Sequence, residues 1–137
     1  MILVDTGPLV ALFDPKDADH ELCRKTLAKL KGPLMTTVAV LTEAFHLLQP
    51  DSLGSKNLCR FVNDRALAVW FLDAAALTRA FALMDTYDDQ PMDLADASLV
   101  TAAEKLRTRR VFTLDVRDFR TYRARIGHKQ ERLQIVP

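Results

Sequence analysis

Asp5 directly follows the apolar run Ile2-Leu3-Val4, and Asp115 follows Val111-Phe112-Thr113-Leu114. Short continuous apolar runs read as buried strands of a parallel sheet, and the carboxyl edge of such a sheet is where ligands bind. Glu43 lies inside the nearly all-apolar stretch Val38–Leu48, with Ala39, Val40 and Leu47 as same-face helical neighbours. An ionised glutamate on such a face is costly unless it is paired or holds a metal. Asp96 sits in Asp93-Leu94-Ala95-Asp96, one helical turn from Asp93. Converging carboxylates raise one another's pKa unless a cation compensates. Hard oxygen donors without Cys or His companions suit Mg²⁺ or Mn²⁺ rather than zinc. Such ions serve phosphodiester cleavage, so the residues point to a metal-dependent phosphodiesterase acting on nucleic acid. Each acid also has a plainer role open to it. Asp5 and Asp93 can cap helices, a role favoured for Asp93, and Asp96 can oppose a helix dipole. Glu43 can pair with a buried arginine. Asp118, three residues beyond Asp115, reads as a capping or rim residue.

Charge is unevenly spread. The net charge is only +1, yet Lys105–Arg132 holds ten Lys and Arg against three acids, a local +7 that leaves −6 elsewhere. Asp85, Asp88, Asp89, Asp93 and Asp96 cluster just before that basic stretch. This separation can draw a polyanion toward a cation-loaded acidic centre.

The elements that must position these groups alternate between strand and helix, the pattern of a parallel sheet covered by helices. Strands are expected at 2–5, 34–36, 66–72 and 110–114, with a final edge strand at 133–136. Helices are expected at about 8–13, from the Asp17–His20 capping groups to Lys31, at 38–49 capped by Thr37, and from Ser55 or Asn57 to Arg65. Three more follow at about 74–87, 93–107 and 116–123. The 137 residues, 49% hydrophobic and 27% charged, form one domain over 1–137, large enough to bury a core unaided. No apolar run can span a bilayer, and no basic segment precedes the first apolar run, so a cytoplasmic protein is expected. Cys23 and Cys59 lack CxxC spacing and read as reduced, buried thiols.

Four motifs resemble those of PIN-domain ribonucleases: Val4-Asp5-Thr6-Gly7-Pro8-Leu9-Val10-Ala11-Leu12, Thr36-Thr37-Val38-Ala39-Val40-Leu41-Thr42-Glu43, Asp93-Leu94-Ala95-Asp96-Ala97-Ser98-Leu99-Val100, and Thr113-Leu114-Asp115-Val116-Arg117-Asp118-Phe119. A stand-alone domain of this length most resembles the VapC toxins of bacterial and archaeal toxin–antitoxin pairs. The resemblance implies an α/β fold with a mostly parallel sheet of four to five strands and helices on both faces. It implies a Mg²⁺- or Mn²⁺-dependent endoribonuclease, a homodimer, and a small antitoxin that blocks the site. Its metal-binding acids would be Asp5, Glu43, Asp96 and Asp115, with Asp93 and Asp118 as alternates; Thr6 and Thr113 are placed to bond carboxylates or water.

Arg107, Arg109, Arg110, Arg117, Arg120, Arg123 and Arg125 are the candidates for phosphate contacts. Phe119 and Tyr122 have the type to stack on an unpaired base, although the core reading is stronger for both. Trp70 reads as core or dimer interface. His20, His46 and His128 fall outside the strand-edge cluster; His46, one turn from Glu43, has the best case for a site role. Metal-activated water predicts 5′-phosphate ends, whereas attack by the ribose 2′-OH predicts a 2′,3′-cyclic phosphate. The alternative class is a non-catalytic RNA-binding module with an Arg-rich face. An aspartyl-nucleophile phosphatase ranks low, because Asp5-Thr6-Gly7 lacks the second acid of an Asp-x-Asp.

Overall fold

In chain order the elements are β1 (Ile2–Val4), α1 (Thr6–Phe13), α2 (His20–Lys29), β2 (Leu34–Thr37), α3 (Val38–Leu48), α4 (Leu53–Asn63) and β3 (Leu67–Trp70). Then come α5 (Ala74–Thr86), α6 (Leu94–Leu106), β4 (Arg110–Phe112), α7 (Val116–Thr121), β5 (Arg123–Ile126), β6 (Lys129–Arg132) and β7 (Gln134–Val136). The structure, a computed structural model, describes residues 1–137 throughout.

β1 is buried at every residue because it is the middle strand of a five-stranded sheet ordered β3-β2-β1-β4-β7. All four pairings are parallel, with Leu3 opposite Met35 on one side and Val111 on the other. Parallel neighbours need crossover connections, and helices supply them, so side chains meet apolar cover and the strands read as unbroken apolar runs. The expected parallel α/β architecture of four to five strands is the one observed.

Local sequence sets the helix starts. Asp5 Oδ1 accepts from Thr6 N, Ser52 Oγ from Ser55 N, Asp73 Oδ1 from Ala76 N and Asp93 Oδ1 from Asp96 N, at 2.8–3.0 Å. Each satisfies a backbone donor that the first helical turn leaves free, worth about 1 kcal/mol. α6 is the central helix, buried at every residue from Ala95 to Ala103. A helix covered on all sides must be apolar or small all round. Ala95, Ala97, Ser98, Ala102 and Ala103 meet that demand and let β1, β2, α3, α5 and β5 approach. Thr37 Oγ1 lies 2.6 Å from Ser98 Oγ, which donates to Ala95 O, so α6 is pinned to the start of α3.

Four expectations need correction. β4 ends at Phe112 rather than at Leu114, so Asp115 stands three residues beyond the strand instead of directly after it. α7 ends at Thr121, and the chain turns into an antiparallel hairpin, β5–β6, which the basic composition of 123–132 concealed. Its two-residue loop is Gly127-His128, with Gly127 at φ +66 as such turns require. Cys59 is exposed on α4; only Cys23 is a buried thiol. β3 spans only 67–70 and is an edge strand, leaving Phe71 70% exposed. No helix is long and apolar enough to cross a membrane.

Candidate active site

The sheet ends and two helices together aim carboxylates at one place. Asp5 is the first residue past β1 and only 7% exposed. Its Oδ2 accepts from Thr113 Oγ1 at 2.7 Å, while Oδ1 accepts from Thr6 N. Thr113 is the first residue past the neighbouring β4, and its hydroxyl also accepts from Asp115 N at 2.9 Å. One threonine therefore ties the Asp5 carboxylate to the backbone of Asp115. Asp96 enters from the first turn of α6, where Asp93 caps the helix and Tyr122 OH donates to Asp96 Oδ2 at 3.0 Å. Glu43, midway along α3, accepts from Thr6 Oγ1 at 3.2 Å. An open cleft of about 440 Å³ is lined by Asp5, Thr6, Gly7, Glu43, Asp93, Asp96, Leu114 and Asp115. A second cleft of about 730 Å³ continues past Asp115 along α7, lined by Asp89, Gln90, Pro91, Arg117, Asp118 and Thr121.

Crowding of acids shows in their protonation. Burial, with the charges of Asp115 and Asp93, lifts Asp5 from 3.8 to about 6 against the opposing pull of its Thr113 and Thr6 hydrogen bonds. Burial first, then Asp93 and Asp5, lifts Asp96 to about 8. Partial burial and Asp93 raise Glu43 as well; partial burial and Asp118 raise Asp115. Every shift runs the same way, as expected where like charges converge without a cation. Asp96, Asp115 and Asp118 each offer an oxygen within 4.8 Å of the others, close enough to share one ion. That trio and the cleft-lining set overlap only in Asp96 and Asp115. The cleft lining is the broader description, because the 4.8 Å trio omits the buried Asp5, whose protein donors leave a lone pair free on each oxygen.

The sequence-derived acids thus come together, with changed emphasis. Glu43 is exposed at the cleft mouth rather than buried on an apolar face. Asp93 both caps α6 and lines the cleft. Asp118 belongs to the adjoining cleft, where Gln90 Nε2 donates to it at 3.2 Å. The arginines disperse. Arg117 lines the adjoining cleft and Arg120 is exposed on α7. Arg123 turns its Nη1 onto the carbonyls of Arg120, Thr121 and Tyr122 at 2.7–3.0 Å, closing the end of α7. Arg107, Arg109 and Arg110 lie at the amino edge of the sheet, around a separate cleft with Met1 and Gln134. Phe119 and Tyr122 are wholly buried, so neither offers a face to a base. His46 faces a different hollow, with Pro50 and Cys59. Sequence reading passed over Tyr122 as an Asp96 partner; twenty-six residues separate them, and no local spacing signals the contact.

Comparison with known proteins agrees with this architecture. Residues 2–124 match the PIN domain family model. Over 125 residues the chain is 29% identical to ribonuclease VapC26 of Mycobacterium tuberculosis, covering 89% of this chain and 92% of that one. Among solved structures, the sarcin–ricin loop cleaving toxin VapC20 of M. tuberculosis superposes with a TM-score of 0.81 at 18% identity, covering 96% of this chain and all of that one. A toxin–antitoxin complex from Klebsiella pneumoniae matches with a TM-score of 0.67 at 17% identity, over 88% of this chain and 92% of that chain. VapBC2 from Rickettsia felis, bound to a promoter DNA fragment, matches with 0.64 at 15% identity, over the whole of both chains.

Proposed function

The chain belongs to the PIN domain family, and on that premise we propose that it is a metal-dependent endoribonuclease acting as the toxin of a toxin–antitoxin pair. The observation that carries this reading is the convergence of Asp5, Glu43, Asp93, Asp96 and Asp115 from separate elements on one open cleft at the carboxyl edge of the sheet. The names of VapC26 and of the toxin structures above lend it support. Residues 1–137 act in this reading as one nuclease unit in the cytoplasm, where its RNA substrate lies.

The donor set fits Mg²⁺ or Mn²⁺. It consists of carboxylate oxygens with no thiolate or imidazole among them, and it carries the raised pKa values that a divalent cation would reverse. Asp5, Glu43, Asp96 and Asp115 would hold the ion, with Asp93 and Asp118 as alternates. When bound, it would neutralise the cleft, polarise a scissile phosphate and lower the pKa of an attacking water. The chain's own residues hold this geometry: Thr113 orients Asp5 and Asp115, Thr6 orients Glu43, and Tyr122 orients Asp96. Arg117, which lines the adjoining cleft with Asp115 and Asp118, would contact a phosphate neighbouring the scissile one. Partners follow the same reading: RNA as substrate, a small antitoxin, and a second copy of the chain as homodimer.

The test is purified chain with structured RNA and either Mg²⁺ or Mn²⁺, wild type beside Asp5→Asn. Cleavage giving 5′-phosphate ends, abolished by the substitution and by chelation, is the expected result. Ends bearing 2′,3′-cyclic phosphate would refute the mechanism. RNA binding without cleavage, unchanged by Asp5→Asn, would favour a binding module instead.

A further inference from the structure

The acidic cleft is a poor place for a polyanion to gain affinity, since Asp5, Glu43, Asp93, Asp96 and Asp115 surround it and Arg117 is the one cation among the residues lining it and the adjoining cleft. The positive charge lies elsewhere. Arg107, Arg109 and Arg110 ring a hollow of about 430 Å³ at the opposite, amino edge of the sheet, with Glu131 as the sole acid in its lining. Glu131 engages only Arg109, at 3.5 Å and with both side chains partly exposed, which is weak neutralisation. Asp5 and Met1 mark the two edges along β1, about 13 Å apart at ~3.3 Å per residue. Arg107 holds a left-handed φ of 54 at the end of α6, a position that glycine or asparagine fills with less strain. On the hairpin, exposed Lys129 shares the ribbon face of Ile126 and Glu131, which line the hollow, and extends its basic surface.

We propose that this amino-edge surface, centred on Arg107, Arg109 and Arg110, grips the sugar–phosphate backbone of a folded RNA at a distance from the cut, supplying affinity that the acidic cleft does not. The proposal rests on RNA being the substrate. Guanidinium groups around a shallow polar hollow suit phosphates, and an acidic protein segment would want more apolar lining than Met1 and Ile126. A single nucleotide step cannot reach both edges; an RNA stem-loop can.

The test is equilibrium binding in Ca²⁺ or chelator, where no cleavage is needed, comparing a stem-loop RNA with a trinucleotide. The variants are Arg107→Gln alone, whose side chain makes no hydrogen bond or ion pair within the chain, and the triple Arg107→Gln/Arg109→Gln/Arg110→Gln. The triple variant should bind the stem-loop at least about tenfold more weakly, with a salt dependence shallower by about 2–3 at ~0.7–0.9 per lost phosphate contact. Arg107→Gln should show roughly a third of that change in slope. Unchanged stem-loop affinity in variants of wild-type melting temperature would overturn the proposal. So would an equal loss on the trinucleotide, or loss of poly-glutamate binding with RNA binding intact. If wild type binds no RNA, the proposal falls, while metal-dependent cleavage assayed separately still judges the nuclease reading.

Discussion

The Tyr122 hydroxyl donates to Asp96 Oδ2 at 3.0 Å from a ring that is wholly buried. The ring is held edge-on by Phe119 and Tyr87, with centroids 5.1 and 5.2 Å away. Because packing fixes the ring, the hydroxyl fixes the carboxylate. Tyr122→Phe keeps the packing and removes the donor. Outer-shell partners of this kind are worth about 10- to 100-fold in metal affinity or activity. Mn²⁺ titration followed by electron paramagnetic resonance should show weakening near the lower end of that range. kcat should fall in parallel while KM for RNA stays put. Unaltered Mn²⁺ affinity would reduce Tyr122 to a core residue.

Thr113 is the joint between the two strand-end acids, donating to Asp5 and accepting from Asp115 N. Thr113→Val preserves shape and deletes the hydroxyl, leaving a buried carboxylate oxygen and a backbone N–H unpaired. The expected loss of stability is about 1–3 kcal/mol by denaturant melts. The Asp5 carboxyl should titrate higher still, since the bond that opposes its burial is gone. A carbonyl-region infrared titration that finds Asp5 unmoved would contradict this assignment.

Asp5 and Asp96 are raised in the folded chain from 3.8 to about 6 and about 8. A folded state that holds protons more tightly than the unfolded chain loses stability as they leave. In chelator, stability should therefore be highest near pH 4 and decline as pH rises through about 6 and then about 8. For Asp5 alone, a rise of about two pKa units corresponds to about 3 kcal/mol. Melting temperatures at pH 5 and pH 8.5 test the sign. Mn²⁺ should restore the loss at the higher pH, because it replaces the departed protons. Asp96→Asn should flatten the upper part of the decline. A protein that melts higher at pH 8.5 than at pH 5 in chelator would mean the acids do not crowd as described.

Position along the chain made much of this site legible. Asp5 could be read as a strand-end acid because the apolar run before it has one reasonable interpretation, and the same held for Asp115 within a few residues. Asp93 and Thr37 announced helix starts by local chemistry, and both side chains accept from the first turn. What local pattern could not carry was depth and distance. Glu43 seemed buried because its helix neighbours are apolar, yet that helix turns the residue to the cleft mouth. The arginines looked like one set because they are close in sequence. A three-residue strand, β4, is enough to carry Arg109 and Arg110 to the edge opposite Asp115. The hairpin escaped notice because charge on 123–132 hid the alternation, although Gly127 marked its turn.

That hairpin depends on one acid. Glu104 of α6 receives Arg79 Nε and Nη2 from α5 at 2.9 and 3.0 Å, and Arg125 N from β5 at 2.6 Å. Its side chain is 10% exposed, so the pair with Arg79 is far better shielded than a surface bridge. Glu104→Ala strands both donors and should cost about 2–4 kcal/mol of stability. The loss should not be uniform. β5 packs against α6 and pairs only with β6, while β1, β2 and β4 are stitched into the sheet. Hydrogen exchange should accordingly speed up across 123–132 first, with β1 amides keeping most of their protection. Equal acceleration in β1 and the hairpin would mean that Glu104 supports the whole fold rather than docking one ribbon. If instead the hairpin alone loosens, stem-loop RNA affinity measured on the same variant should fall with it, since the ribbon borders the basic amino edge.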